Sequence, residues 1–488
     1  MDTESPAHES FRQAGLSVLL PSDKEYALRQ ESYFSRSAAQ VAPACIVRPR
    51  SASEVSAAIR ILTKGRHLFA IRSGGHGTNV GASNIAGGVT LDLGLLDWTR
   101  VEDDGQHEPV VDIGPGARWA DVYASLQERG LVVAGGREGS VGVGGLILGG
   151  GNTYFTASHG FACDNVLAFE VVLADGRIVN ATAECHADLF WALKGGSNNF
   201  GVVTNFRMRA LRGGAVWGGL TLYPWQVLPQ AIEALTDFTS LVHADVDSNL
   251  MCFFAYRGNC LLPELKQVTI VSVFAQVGGV ERAPAYEKWL ALPSIHTDCK
   301  MTSLSNIVAE NIMPSRYYQI WFTATIKNDA RIVSKAASLH EELVNALKSS
   351  VAPDGDFWAL CLLQPLPKIM AQRGGNNNNA LGLSRQQHDG LLLQTTVMVR
   401  TPEQERMAYP KCKAFIVAVR DFARSTEMEE DGNMDWEYLN YADASQDPLA
   451  SYGAENVKRL KEVSLRYDPE QAFQRLCPGG FKLAHVST

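Results

Sequence analysis

The chain has 488 residues, of which 46% are hydrophobic and 20% charged, and a formal net charge of -8 at pH 7. It is longer than one hydrophobic core normally supports, so two or three domains are expected. The acidic balance and the absence of a Lys/Arg cluster argue against a nucleic-acid partner, and no stretch approaches the roughly 20 apolar residues of a membrane span.

The chain starts MDTESPAHESFRQAGLSVLL. This is acidic, and its apolar run is too short for an export signal. The nine cysteines are scattered and odd in number. Free thiols in a cytoplasmic or other intracellular compartment are the simpler expectation, against the lone glycosylation sequon Asn180-Ala181-Thr182. Further along, Ser53 is placed to cap a helix that carries Val55, Ala58, Ile59 and Leu62 on one face. HLFAIR follows as a buried strand. Trp119, Val122, Tyr123 and Leu126 share a second helical face, and GLVVAGG then reads as turn and strand. Asp175-Gly176 lies between strand-like flanks and predicts a hairpin. Together these predict a mixed α+β domain over 1–210.

From 211 to 430 the texture changes. Apolar runs such as VTIVSVFAQV and LLLQTTVMV alternate with helical stretches such as VSKAASLHEELVNALK. A second α+β domain with its own sheet is expected. RGGNNNNALG (373–382) reads as a polar surface loop. In the tail, Asn456 to Ser464 reads as a helix that ends before Tyr467-Asp468-Pro469, because proline lacks an amide donor and restrains the residue before it.

Glycine is densest from Gly74 to Gly151. The stretch GGREGSVGVGGLILGGG (135–151) and the stretch IRSGGHGTNVG (71–81) both allow close approach of backbone to a flat or anionic ligand. Neither contains GxxxxGK[ST] or a G-x-G-x-x-G at a strand–helix junction, so a triphosphate loop and a Rossmann nicotinamide site are disfavoured. Two such loops suit a large cofactor with a diphosphate and a ring system. Tight turns in a compact sheet domain are the plain alternative. On residues alone His76 is a metal ligand, an acid–base catalyst or a packed polar residue. No second ligand sits at a metal-binding spacing, and no metal is expected.

The motifs PRSASEVSAAIR (49–60), IRSGGHG (71–77), GPGARWADVY (114–123), GVGGLILGGG (142–151), HGFACDNV (159–166), DLFWALKGGSNNFGVV (188–203) and YLNYAD (438–443) carry a family resemblance. The chain resembles the FAD-linked oxidoreductases of the vanillyl-alcohol-oxidase superfamily, with their PCMH-type FAD-binding domain. Within it the chain resembles the berberine-bridge-enzyme-like branch, and there a fungal secondary-metabolism member. The resemblance implies an α+β fold: an FAD-binding domain of two α+β subdomains over 1–210, a substrate-binding domain with an antiparallel sheet covered by helices over 211–430, and a C-terminal segment over 431–488 that returns to the FAD domain. It implies that His76 bonds covalently to the flavin 8α-methyl carbon, and that Arg72, Ser73, Gly74, Gly75 and Gly77 surround that bond. By the same resemblance Gly142, Gly144, Gly145, Gly149, Gly150, Asn165 and Asn440 belong to the cofactor site. Asp164 is expected to help order its loop, and segments 194–196 and 198–201 to approach the adenine and pyrophosphate. Many relatives carry a second tether, a cysteine just before V-G-V-G-G. Here that position holds Glu138, which implies a single link through His76 and no cysteinyl bond.

The resemblance also places a base, Tyr438, in the Y-x-N-Y segment. In a strand-like run Tyr438 and Asn440 would face the flavin side together and Tyr441 the other. Asp356, Arg373 and His388 are further candidates. The expected reaction is hydride transfer from a secondary-metabolite substrate, by alcohol oxidation or oxidative cyclisation, to flavin N5, with O2 regenerating the flavin and giving H2O2. A carbohydrate or simple-alcohol oxidase is the second reading. A flavin-retaining, non-redox cyclase or binding protein is the third.

Overall fold

The computed structural model describes residues 7–258, 266–373, 378–427 and 434–486. Three sheets organise them. The first has four strands in the order Val18–Leu19, Cys45–Val47, Val89–Asp92 and Phe69–Arg72. The last three run parallel, which requires crossovers on one face. One crossover is the helix Ala52–Lys64, which buries Val55, Ala58, Ile59 and Leu62 against this sheet. The Val, Ile and Leu side chains among these stabilise by about 1.5–3 kcal/mol each. The cap is Ser51 rather than Ser53: the Ser51 side chain accepts the Glu54 amide proton at 3.2 Å, and Ser53 is already inside the first turn.

The second sheet has six strands, antiparallel throughout, around the central strand Val202–Arg212. Its hairpin Val166–Val172 to Ile178–Ala181 turns at Asp175-Gly176, where Gly176 has φ +81°. The helix Trp119–Gln127 buries Trp119, Val122, Tyr123 and Leu126.

The third sheet has eight strands and is also antiparallel. Its long strands are Ala215–Tyr223, Thr269–Gln276, Ser248–Arg257, Trp358–Leu366, Gly390–Val399 and Tyr318–Lys327, in that spatial order. The helices Leu228–Leu241, Ala330–Ser350 and Pro402–Glu427 cover one face. The other face looks back at the glycine-rich loops.

The tail helix is Ala454–Tyr467, a turn longer than its sequence pattern suggests, because Pro469 constrains only Asp468 and leaves Tyr467 helical. The tail also ties into the first half of the chain. The Lys482 ammonium donates to Asn198 O at 3.1 Å, Asn199 donates to Phe481 O, and the Tyr452 hydroxyl donates to Gly195 O at 3.0 Å. The eight cysteines among the described residues are free thiols, and none of the described helices is long and apolar enough to cross a membrane. Residues 1–6, the 374–377 part of the asparagine loop and the 430/431 boundary lie outside the described residues.

Candidate active site

The strand Phe69–Arg72 ends in the loop Ser73–Gly77, and this loop crosses the 135–145 loop backbone against backbone. A Cβ on Gly74 would sit 2.5 Å from Gly142 Cα, and one on Gly142 would sit 2.5 Å from Gly74 N. Neither position has room for a side chain. Three further links fix the crossing. The Ser73 hydroxyl donates to Pro115 O at 2.5 Å and accepts the Gly144 amide proton at 3.2 Å. The Arg118 guanidinium donates to Gly74 O at 2.8 Å and to Ser140 O, so one side chain clamps both loops.

A cleft of about 430 Å³ opens between these loops and the bare face of the eight-stranded sheet. Ser73, Gly74, Gly75, His76 and Gly77 line its floor, continued by Gly142, Gly144 and Gly145. Ser197 and Asn198 stand at one end. The roof is mostly apolar, with Leu220, Phe253, Val273, Leu360, Leu362 and Trp321 among its side chains. Strand alternation explains this: Trp358, Leu360 and Leu362 are every second residue of one strand and point the same way.

Four of the expected cofactor residues lie outside the lining. Arg72 turns inward, where it lies over the Tyr33 ring at 3.7 Å, faces Asp92 at 3.7 Å and donates to Arg29 O. It braces the strand that ends at the loop. Asn165 donates to His159 O and Phe161 O, which closes its own turn. Gly149 gives room to Asn440, and Gly150 takes φ +108° at the end of the helix Val143–Leu148. Nearby, Asp164 accepts from Asn379 at 2.7 Å. Asp356 pairs with Arg400, Arg373 donates to Ala157 O, and His388 borders a separate surface depression, so none of these three candidate bases lines the cleft.

The His76 imidazole stacks on Phe34, with ring centroids 3.9 Å apart and planes 11° from parallel. Burial, and then the Arg118 cation, push its pKa down to about 3, so the ring is neutral. Its Nε2 is buried without a hydrogen-bond partner and lies 3.5 Å from Glu138 Oε2. With a neutral ring, this is a polar approach rather than an ion pair. Glu138 accepts from the Ser140 hydroxyl at 2.8 Å and from the Met313 amide at 3.0 Å. Burial raises its pKa, and these donors oppose the rise.

The Y-x-N-Y segment is a 3-10 turn, Leu439–Tyr441, and not a strand. The turn removes the expected alternation. Tyr438 and Tyr441 both line the cleft, but in different settings. Tyr438 is 1% exposed, its hydroxyl accepts the Asn152 amide proton at 2.6 Å, and burial pushes its pKa well up. The Tyr441 hydroxyl accepts from Arg137 at 3.2 Å, and Gln364 lies 3.4 Å away. Arg137 also donates to Gln364 Oε1 and is 7% exposed. Asn440 donates to Gly145 O and Leu146 O and leaves its Oδ1 buried without a partner. Sequence reasoning did not find Arg137. Its only signal was a basic residue inside a glycine loop, and the tyrosine it meets is 304 positions away.

The cleft fits a flat, extended cofactor. Two backbones cross where side chains cannot, and His76 Nε2 and Asn440 Oδ1 are buried polar atoms without partners along it. Such a site suits a protein that binds a large cofactor with a flat ring. The model of the FAD binding domain family matches residues 43–182. "FAD-dependent monooxygenase drtC" of Aspergillus calidoustus is 37% identical over 97% of this chain and 88% of its own length. Among solved structures, 6-hydroxy-D-nicotine oxidase of Arthrobacter nicotinovorans superposes with a TM-score of 0.76 at 22% identity, over 94% of this chain and 96% of its own. Glucooligosaccharide oxidase of Acremonium strictum, described with 6-S-cysteinyl, 8α-N1-histidyl FAD, gives 0.76 at 19% identity, over 96% and 98%. The chain belongs to the FAD-linked oxidoreductases of the vanillyl-alcohol-oxidase superfamily, in the berberine-bridge-enzyme-like branch. It is an FAD-dependent enzyme acting on a small organic molecule.

Proposed function

We propose that this enzyme oxidises an apolar, hydroxyl-bearing secondary metabolite by two electrons, with FAD held by a single covalent bond to His76. The observation that carries the substrate class is the roof. A groove for sugars needs many polar partners, whereas Leu220, Phe253, Val273, Leu360 and Leu362 dominate this roof, with Gln394 and Thr396 among its polar exceptions. This favours a secondary metabolite over a carbohydrate. A single tether is supported by Glu138, since a carboxylate cannot form the thioether that a cysteine would.

When bound, FAD supplies the acceptor for the two electrons of the substrate C–H bond. The chain's residues do the rest. The crossed glycine loops seat the ring edge. The apolar roof excludes water from above and holds the substrate against the floor. Removing the hydroxyl proton requires a base, and the geometry favours Tyr441 over Tyr438 for this task. Tyr441 Oη faces the Arg137 guanidinium, which places positive charge opposite an oxygen that must carry negative charge in the reaction. Tyr438 Oη is engaged by a backbone amide. Of the two, Tyr438 is thus the positioning residue, holding the turn against Asn152.

Anaerobic mixing with substrate tests this. Tyr441→Phe should keep its flavin and slow flavin reduction by roughly 10²–10⁴-fold, while Tyr438→Phe slows it far less. The reverse order would return the role to Tyr438. Reoxidation by O2 should release one H2O2 per product. Insertion of labelled oxygen from 18O2 into product would instead favour the monooxygenase activity for which the Aspergillus relative is named. Binding of candidate ligands without any flavin bleaching would favour the non-redox reading.

A further inference from the structure

The approach of Glu138 to His76 is not needed for substrate oxidation, yet it is built with care. Glu138 Oε2 lies 3.5 Å from His76 Nε2, a buried nitrogen with no hydrogen-bond partner. Ser140 and the Met313 amide hold the carboxylate in place, and Phe34 holds the imidazole by stacking at 3.9 Å. Each group therefore has its own support, and the two face each other across a gap slightly longer than a hydrogen bond. Such contacts commonly tighten when the site fills.

We propose that Glu138 is the positioning residue for covalent attachment of FAD, acting as the acceptor for the Nε2–H of His76. The hydrogen bond made by one ring nitrogen decides which nitrogen carries the proton. A carboxylate at Nε2 draws the proton there, away from Nδ1, which in this structure contacts the backbone of His76 itself, and leaves the Nδ1 lone pair to attack. Attachment forms a bond between Nδ1 and the flavin 8α-carbon. One C–H bond of that methyl group breaks, and the imidazole loses its N–H proton, first to Glu138. The two electrons pass to the isoalloxazine, which takes up two protons. Dioxygen then removes the two electrons and two protons as hydrogen peroxide and restores the oxidised ring. A cysteine at this position would be a second attachment point, whereas this glutamate serves the first one. The Arg118 cation, clamped between the two loops, disfavours a charged imidazole and so keeps the ring a nucleophile.

This inference rests on the proposed His76 link, and the test separates the two. Full-length chain, wild type and with Glu138→Gln, Glu138→Ala or Glu138→Asp, is prepared from riboflavin-limited cells and mixed with FAD. Bound flavin is read by absorbance, and covalently attached flavin by acid precipitation at timed intervals and by the mass of the His76 peptide. In the wild type, flavin should appear on that peptide. Glu138→Gln should still bind FAD but attach it roughly 100-fold more slowly, because an amide donor at Nε2 moves the proton to Nδ1. Glu138→Ala should also be slow, and Glu138→Asp should recover most of the rate. A wild-type rate of attachment in Glu138→Gln overturns the proposal and leaves the His76 link intact. Loss of FAD binding in all three variants with the fold retained by circular dichroism also overturns it, since Glu138 would then be a packing residue. Only dissociable FAD in the wild type overturns both.

Discussion

The floor and the roof of the cleft are built by opposite means. The floor is backbone: two loops that cross where Gly74 and Gly142 leave no space, clamped by Arg118. The roof is side chains: one face of a sheet whose six long strands come from separate stretches between 215 and 399. Backbone contacts tolerate almost no change, because any added atom meets another main chain. Side-chain contacts can be exchanged one at a time without moving the strands. On the proposed function, cofactor binding is therefore fixed by the fold, and substrate choice is adjustable.

This contrast can be broken or sharpened experimentally. The largest effect is expected at the junction of floor and roof. Arg137→Met should lower the rate of anaerobic flavin reduction by roughly 10²–10³-fold and leave FAD content unchanged, because it removes charge opposite Tyr441 and not part of the cradle. In the floor alone, Gly142→Ala should weaken the first, pre-covalent binding of FAD to flavin-free chain by about 10–100-fold, in line with a cost of about 1–3 kcal/mol for overpacking. In the roof alone, Leu362→Ala should raise KM by about 10-fold with full FAD content, as expected for lost apolar contact worth about 1–3 kcal/mol. A roof substitution that empties the protein of flavin, or a floor substitution that changes only KM, would dissolve the distinction.

The smallest effect concerns the layer behind the roof. His340 lies fully buried in the helix Ala330–Ser350, and burial pushes its pKa down to about 3. Its unfolded pKa is near 6.5. Between those values the unfolded chain binds a proton that the folded chain does not, so acid favours unfolding. Stability attributable to this group is complete above pH 6.5 and is lost as pH falls toward 3, at about 1.4 kcal/mol per pH unit. Chemical denaturation of His340→Leu at pH 7 and pH 5 should show a smaller difference than the wild type.

The floor was legible in the sequence because its determinants are local. A strand, a run of glycines and a histidine within seven residues mark IRSGGHG as a place of close backbone approach, and the structure brings Gly142 there. Its individual members were harder to assign. Arg72 belongs to the same motif, but its long side chain reaches Tyr33 and Asp92 behind the loop, a choice that depends on residues 20 to 40 positions away. The helix at Ser51 was misread by two residues because Ser51 and Ser53 are equally good caps by type. At the other end of the chain, treating YLNY as a strand put Tyr438 and Tyr441 on opposite faces. The 3-10 turn brings both to the cleft, and only the partners, Asn152 for one and Arg137 for the other, tell them apart. Such pairings join residues hundreds of positions apart, and periodicity carries no information about them.

The clasp between Lys482 and Asn198 has a consequence for biogenesis. Its two halves are 284 positions apart in the chain. The loop that lines one end of the cofactor cleft is therefore synthesised long before the residue that pins it. A ribosome working at about 5–20 residues per second takes on the order of 15–60 s to span that distance. During that interval Asn198 stands without the side chain that pins it. The clasp makes closure of the cleft a late event in the life of each molecule.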